Sequence, residues 1–194
     1  MKLLWILIAT AVCGIAPSAE LPVNRPTNSD VAQSRIRLTP RVQAIVNADS
    51  PQGRLGRAWI RYAQGLIGEG GVQIDEVVMP NVRCLDLEGA GYPPGVAGLK
   101  QFRQQINVGL PDERVLVTQM RFSDGGVIET ELQVTATHLG ELLGRPPTGR
   151  SVHSVIHTLG RFKADRLVER WDRMDFAGLL HQLDDKREVP PLKR

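Results

Sequence analysis

Between residues 128 and 138 the chain alternates between two kinds of side chain. Ile128, Leu132, Val134, Ala136 and His138 fall on one face, and Glu129, Glu131, Gln133, Thr135 and Thr137 fall on the other. A period of two belongs to a β-strand with one buried face, and a helix cannot sustain it. The residues before it, Val115, Leu116, Val117, Met120 and Phe122, form a second β-rich run, and Ser123-Asp124-Gly125-Gly126 between them is a hairpin turn signal. After a Pro-rich loop at 144–149, strands are expected at 152–162 and 166–173, joined by a turn at Lys163-Ala164-Asp165. Four antiparallel strands with one apolar face cannot stand alone in water, so something else must cover that face.

The first half supplies the cover. Thr39-Pro40 and Ser50-Pro51 each place a cap residue before a proline, which is how helices start. A short helix through Val42, Ile45 and Val46 follows the first. After the second, Leu55, Ala58, Trp59, Tyr62, Ala63, Leu66 and Ile67 recur at three- and four-residue spacing, one apolar helix face that ends at Gly68, Gly70 and Gly71. Gly53 and Gly56 lower its helix propensity, so burial must hold it. A short helix at 74–78 is expected to stop at Pro80, and one at 99–108 turns Leu99, Phe102 and Ile106 inward. Asp175 can cap a closing helix at 176–183. The expected class is α+β: a cone-shaped, curved antiparallel sheet covered by three N-terminal helices and enclosing a hydrophobic cavity.

The N-terminus has a different character. Lys2 precedes an apolar or small run from Leu3 to Ile15, too short for a membrane-spanning helix, and Pro17 with Ala16, Ser18 and Ala19 follows it. This is the layout of a secretory signal peptide at residues 1–19, cut after Ser18 or Ala19; a retained anchor, a buried helix or lipidation at Cys13 are the alternatives. Residues 20–38, rich in Pro and Asn, read as a flexible linker, 39–184 as the domain and 185–194 as a charged C-terminal tail. The expected location is therefore periplasmic or secreted, with no stable membrane span after cleavage.

Losing the leader removes Cys13 and leaves Cys84 alone, so no internal disulfide can form and the exported domain relies on its core. Cys84 reads as a small buried apolar residue, with a catalytic thiol as the alternative. Lys and Arg total 24 against 21 Asp and Glu, scattered rather than striped, which gives nucleic-acid binding no support. His138, His153 and His157 do not form a metal set, and neither a G-x-S-x-G nor a phosphate-loop pattern is present.

Four segments in order resemble one family. They are YPPGVAGLKQF at 92–102, THLGELLGRPPTG at 137–149, the hairpin with Arg161-Phe162 before its turn and LVERWD at 167–172 after it, and DFAGLLHQL at 175–183. Together they look like the SnoaL-like polyketide cyclases, or ester cyclases, of the nuclear transport factor two-like superfamily. The resemblance spans about residues 55–183. It implies a hydrophobic pocket for a small molecule, a homodimer through the open sheet face, and ring closure by intramolecular aldol condensation with neither metal nor organic cofactor. By motif position the family's catalytic acid falls on Asp172, and a pocket histidine falls on Thr158, with His157 one place away.

In an apolar pocket Asp172 would be a stronger base, because burial penalises its charged form. The enolate it creates needs a stabiliser. His138, on the apolar strand face, is the first candidate and His157 the second, with Arg121 and Trp171 behind them; Trp59, Tyr62, Phe102 and Thr158 complete the candidate pocket. Each has a structural alternative. Asp172 could pair with Arg170 or Arg173, His138 could be a hydrogen-bonded core histidine, His157 could be structural, and the aromatics could be core. Two readings follow: a cofactor-independent enzyme (cyclase, isomerase or hydrolase) acting on a small hydrophobic carbonyl compound, or a non-catalytic ligand-binding or accessory protein of the same fold.

Overall fold

The computed structural model describes residues 34–184. The expected signal peptide, most of the expected linker and the expected tail lie outside them. Two helices, the short α1 (Pro40–Asn47) and the long α2 (Pro51–Ile67), begin at the expected prolines. Ser50 caps α2 by accepting a hydrogen bond from Gly53 N, at 3.0 Å, and Gly68 closes it in the left-handed conformation. Gly56 is buried where α2 presses on Val46 of α1 and Met120 of the sheet, which explains a glycine inside a helix.

The sheet has six strands in the order β1-β3-β4-β5-β6-β2. The four central ones form the expected antiparallel meander: β3 (Arg114–Ser123), β4 (Val127–Thr137), β5 (Ser151–Lys163) and β6 (Arg166–Met174). Register shifts in the β3–β4 and β5–β6 pairs bend the sheet, which is curved and does not close. Two short edge strands were not legible. β1 (Ile36–Leu38) pairs parallel with β3, so the linker reading at 20–38 runs into the domain. β2 (Val78–Cys84) pairs parallel with β6, so the chain does not simply stop at Pro80. Proline fits there because β2 is an edge, where one side needs no ladder donor.

α3 (Ile74–Val77) is a single turn before β2, and α4 (Leu85–Gly89) follows β2 directly. α5 (Val96–Gly109) begins three residues earlier than expected, and α6 (Phe176–Asp184) closes the domain. Asp175 accepts from Gly178 N at 2.9 Å, as expected of a cap. Gln182 of α6 exchanges two hydrogen bonds with the His153 backbone, at 2.8 and 2.9 Å, standing in for a strand neighbour where β6 has ended.

One sheet face packs on the helices. Val117, Ile128, Leu132, Val134 and Leu167 meet Val42, Trp59, Ala63 and Leu99 in the main core. Burying a side chain such as Leu99, which is fully covered, contributes roughly 1.5–3 kcal/mol. A second cluster, Leu110, Ala136, Leu142, Val152, Leu179 and Leu183, fills the end under α6. The opposite sheet face carries exposed Gln119, Arg121, Glu129, His157, Trp171 and Arg173. Among the described residues no helix is long and apolar enough to cross a membrane.

Candidate functional site

The strand register assembles the site. Met120, Thr130, Thr158 and Asp172 are successive cross-strand partners on the inner face, and Ile128, Gly160, Arg170 and Cys84 form the next row. Asp172 and Arg170 are two residues apart on one strand, so both point inward.

Arg170 is the centre, with 2% of its surface exposed. Its Nη2 donates to Asp86 Oδ2 at 2.9 Å and also to Asp172 Oδ2. Its Nη1 donates to the Tyr62 hydroxyl at 3.4 Å. Tyr62 is held edge-on against Phe162, ring centres 6.3 Å apart, and the Phe162 ring lies over Gly160, where an added Cβ would meet it at 3.0 Å. Glycine at 160 thus lets Phe162 pack where it can brace Tyr62. Thr130 and Thr158 share a hydroxyl–hydroxyl hydrogen bond beside Asp172.

Two carboxylates around one guanidinium leave the cluster net negative. Burial pushes the Asp172 carboxyl up to about 6; Arg170 opposes that rise and Asp86 adds to it. Burial likewise raises the Tyr62 hydroxyl above its usual range and pushes the Cys84 thiol up to about 12, so neither ionises near neutrality. Burial works against the charge on Arg170, but its acidic neighbours, Asp172 foremost, outweigh it and hold the guanidinium protonated. The Asp172 side chain keeps 24% exposure, and Ile156, Thr158 and Met174 around it are half-buried. Ile156 packs on the main core and Met174 on the second cluster. Surface grooves of about 360 and 370 Å³ lie between α2 and α5 and on the outer sheet face; the second is lined by Arg121, His157 and Trp171 and also reaches Thr130 and Thr158.

The structure does not bring a histidine to Asp172. His138 is fully buried at the far end of β4, beyond Thr137, roughly 27 Å from Thr130 by strand rise. Its Nδ1 lies 3.1 Å from Thr148 Oγ1, and its backbone bonds to Arg150 and Gly149 close the loop between β4 and β5. Burial lowers its pKa. It is the hydrogen-bonded core histidine of the alternative reading, and its alternation signal was genuine but reported burial alone. His157 is one register step from Thr158 and therefore on the outer face, beside Glu131 and Arg173. Arg121 and Trp171 are also on the outer face. Trp59 is core, and Phe102 is half-buried on α5 with its edge-on partner Tyr92, ring centres 5.9 Å apart. Of the expected set, Asp172, Thr158 and Tyr62 converge. Asp86 was missed because α4 has too few residues for a periodic pattern. Among the described residues no cluster of three or more His, Cys, Asp or Glu could hold a metal ion.

The sequence matches a known family. The model of the SnoaL-like polyketide cyclases fits residues 71–183, more than half of the chain. The chain belongs to the SnoaL-like polyketide cyclase family. Solved structures share the fold. A protein of Jannaschia sp. CCS1 assigned to the SnoaL-like polyketide cyclases is 17% identical, with TM-score 0.62 over 73% of this chain and 99% of that one. A SnoaL-like polyketide cyclase from Agrobacterium tumefaciens is 19% identical, with TM-score 0.54 over 66% and 97%. AclR of Streptomyces galilaeus, assigned as a hydroxylase, is 21% identical, with TM-score 0.59 over 72% and 86%. No curated protein matches the sequence.

Proposed function

We propose that this SnoaL-like protein removes a proton from the carbon next to a carbonyl in a small hydrophobic compound, with Asp172 as the base and without an organic cofactor. The supporting observation is Asp172 itself: an inward carboxylate, partly open to solvent, pushed up to about 6 by its burial. Such a group is ionised at neutral pH yet basic enough to take a proton. The Asp172 oxygen accepts the α-proton, and the bond's electron pair moves into an enolate. The Thr130 and Thr158 hydroxyls lie within the same row and can donate to the enolate oxygen, supplying the stabilisation that deprotonation requires. The enolate then attacks a second carbonyl in a cyclisation, or is reprotonated at another carbon in an isomerisation.

The test is direct. The purified protein, offered small cyclic and acyclic ketones in deuterated buffer, is expected to incorporate deuterium at the α-carbon, with a rate that rises as pH passes through about 6. Mass spectrometry of small molecules carried by the protein would narrow the substrate class.

The salt bridge from Arg170 to Asp172, and the burial of His138 at the far end of β4 rather than beside Asp172, favour a second reading, a ligand-binding protein without chemistry. It expects bound ligand and no exchange. A SnoaL-like neighbour assigned as a hydroxylase is a reminder that the fold does not fix the reaction.

Two further elements belong to the proposal. The leader-like residues 1–19 support work outside the cytoplasm, on an envelope, secreted or environmental molecule. The uncovered outer face, where Trp171 is 50% and Val155 39% exposed, supports a homodimer through that face. Sedimentation at micromolar concentration is expected to show a dimer that Trp171→Glu converts to monomer; a wild-type monomer would refute it.

A further inference from the structure

Asp86 lies on α4, outside the strand motif that carries Asp172, yet it reaches the same nitrogen. Nη2 of Arg170 has two hydrogens, and the geometry gives one to each carboxylate: Asp86 Oδ2 at 2.9 Å and Asp172 Oδ2. The side chain of Arg170 is 3% exposed and that of Asp86 17%, so little solvent screens the contact. Asp86 is itself held in place. α4 starts immediately after Cys84, and Glu88 one turn on folds back to accept from Cys84 N and from Arg83 Nε, each at 3.0 Å.

We propose that Asp86 is a positioning residue, which takes one hydrogen of Arg170 Nη2, limits the guanidinium's hold on Asp172 and so keeps that carboxylate a usable base. This rests on the reading of Asp172 as the base. An arginine bonded to Asp172 alone would make it a weak acceptor, tied up in an ion pair. An arginine shared with a second carboxylate holds Asp172 in orientation without quenching it. The groups facing Asp172 from the surrounding elements fit this division. Arg170 on β6 is the cation and Asp86 on α4 the second anion. Tyr62 on α2 and Cys84 on β2 stay neutral near pH 7, and Thr130 and Thr158 on β4 and β5 present hydroxyls.

The experiment follows the side-chain carboxyl carbons by NMR across a pH titration of the full chain. In Asp86→Asn the Asp172 midpoint is expected to fall by about one unit, because a like charge is removed and Arg170 is released to it. Asp86→Glu, which keeps the carboxylate, is expected to return the midpoint toward the wild-type position. A midpoint that stays put or rises in folded Asp86→Asn overturns the proposal. Should that variant fail to fold, Asp86→Ser, which also removes the charge, takes its place, and a midpoint that stays put or rises there overturns the proposal. Neither readout depends on turnover. A wild type that exchanges no α-hydrogen, while its Asp172 midpoint still moves with Asp86, would defeat the base reading and leave the charge sharing intact.

Discussion

Asp172→Asn is expected to lose α-deuterium exchange by roughly 10²- to 10⁴-fold, the usual contribution of a general base, while becoming more stable than the wild type at neutral pH. The amide is nearly the same shape, but it cannot accept the substrate proton. The stability gain follows from the same burial that makes Asp172 basic. Its folded value is about 6 against an ordinary 3.8, so the folded state favours the protonated form. That contribution is fully present below 3.8 and is lost as pH rises through 6. Above that range the ionised carboxylate costs on the order of 3 kcal/mol relative to an unperturbed one. Asparagine never ionises and escapes the loss. Urea midpoints at about pH 4 and about pH 7.5 are expected to show the variant pulling ahead of the wild type at the higher pH. Activity lost together with stability gained is what a base held at the expense of folding would show. Unchanged exchange in the folded variant removes Asp172 from the mechanism.

Arg170→Met is expected to destabilise the fold by about 3–5 kcal/mol at neutral pH, the typical result of removing one partner from a buried ion pair. Methionine fills much of the volume, so the loss is not a cavity effect. The damage lies in what remains: Asp86 and Asp172 would face each other with no cation between them, and Tyr62 would lose its donor. Acid should heal the defect, since protonating the carboxylates removes their repulsion. Adding Asp86→Asn and Asp172→Asn to Arg170→Met should do the same without acid, because no charge is then left unpaired. Equilibrium urea unfolding of the single and triple variants checks both statements. A loss under about 1 kcal/mol in the single variant would show the cluster to be well hydrated, as exposed ion pairs are.

The contrast between His138 and Asp172 shows what local pattern can and cannot carry. Alternation placed His138 on the buried face of β4, and it is there, fully covered. But the same face runs the length of a strand from Val127 to Thr137, and nothing in a period of two says which end faces the site. The pairing of Arg170 with Asp172, two residues apart, follows from strand geometry and was open to inspection as one of two alternatives. Asp86 was not. It reaches Arg170 from 84 positions away through a five-residue helix and a seven-residue edge strand, elements too short to impose a period on their residues. His157 failed for the simplest reason: one register step reverses the face.

The amino-acid sequence by itself determined the α+β class, the four central strands with their turns, the helix starts at Pro40 and Pro51, and the family. These rest on local rules: side-chain period, caps, turn residues, and motifs contiguous in the chain. Only the tertiary structure decided that β1 and β2 complete the sheet in parallel, that the two threonines rather than a histidine stand beside Asp172, and that one arginine nitrogen is divided between two carboxylates. Those facts depend on registers between distant segments and on how much water reaches a charge. Neither is a property of any stretch of sequence, and both set how strong a base Asp172 is.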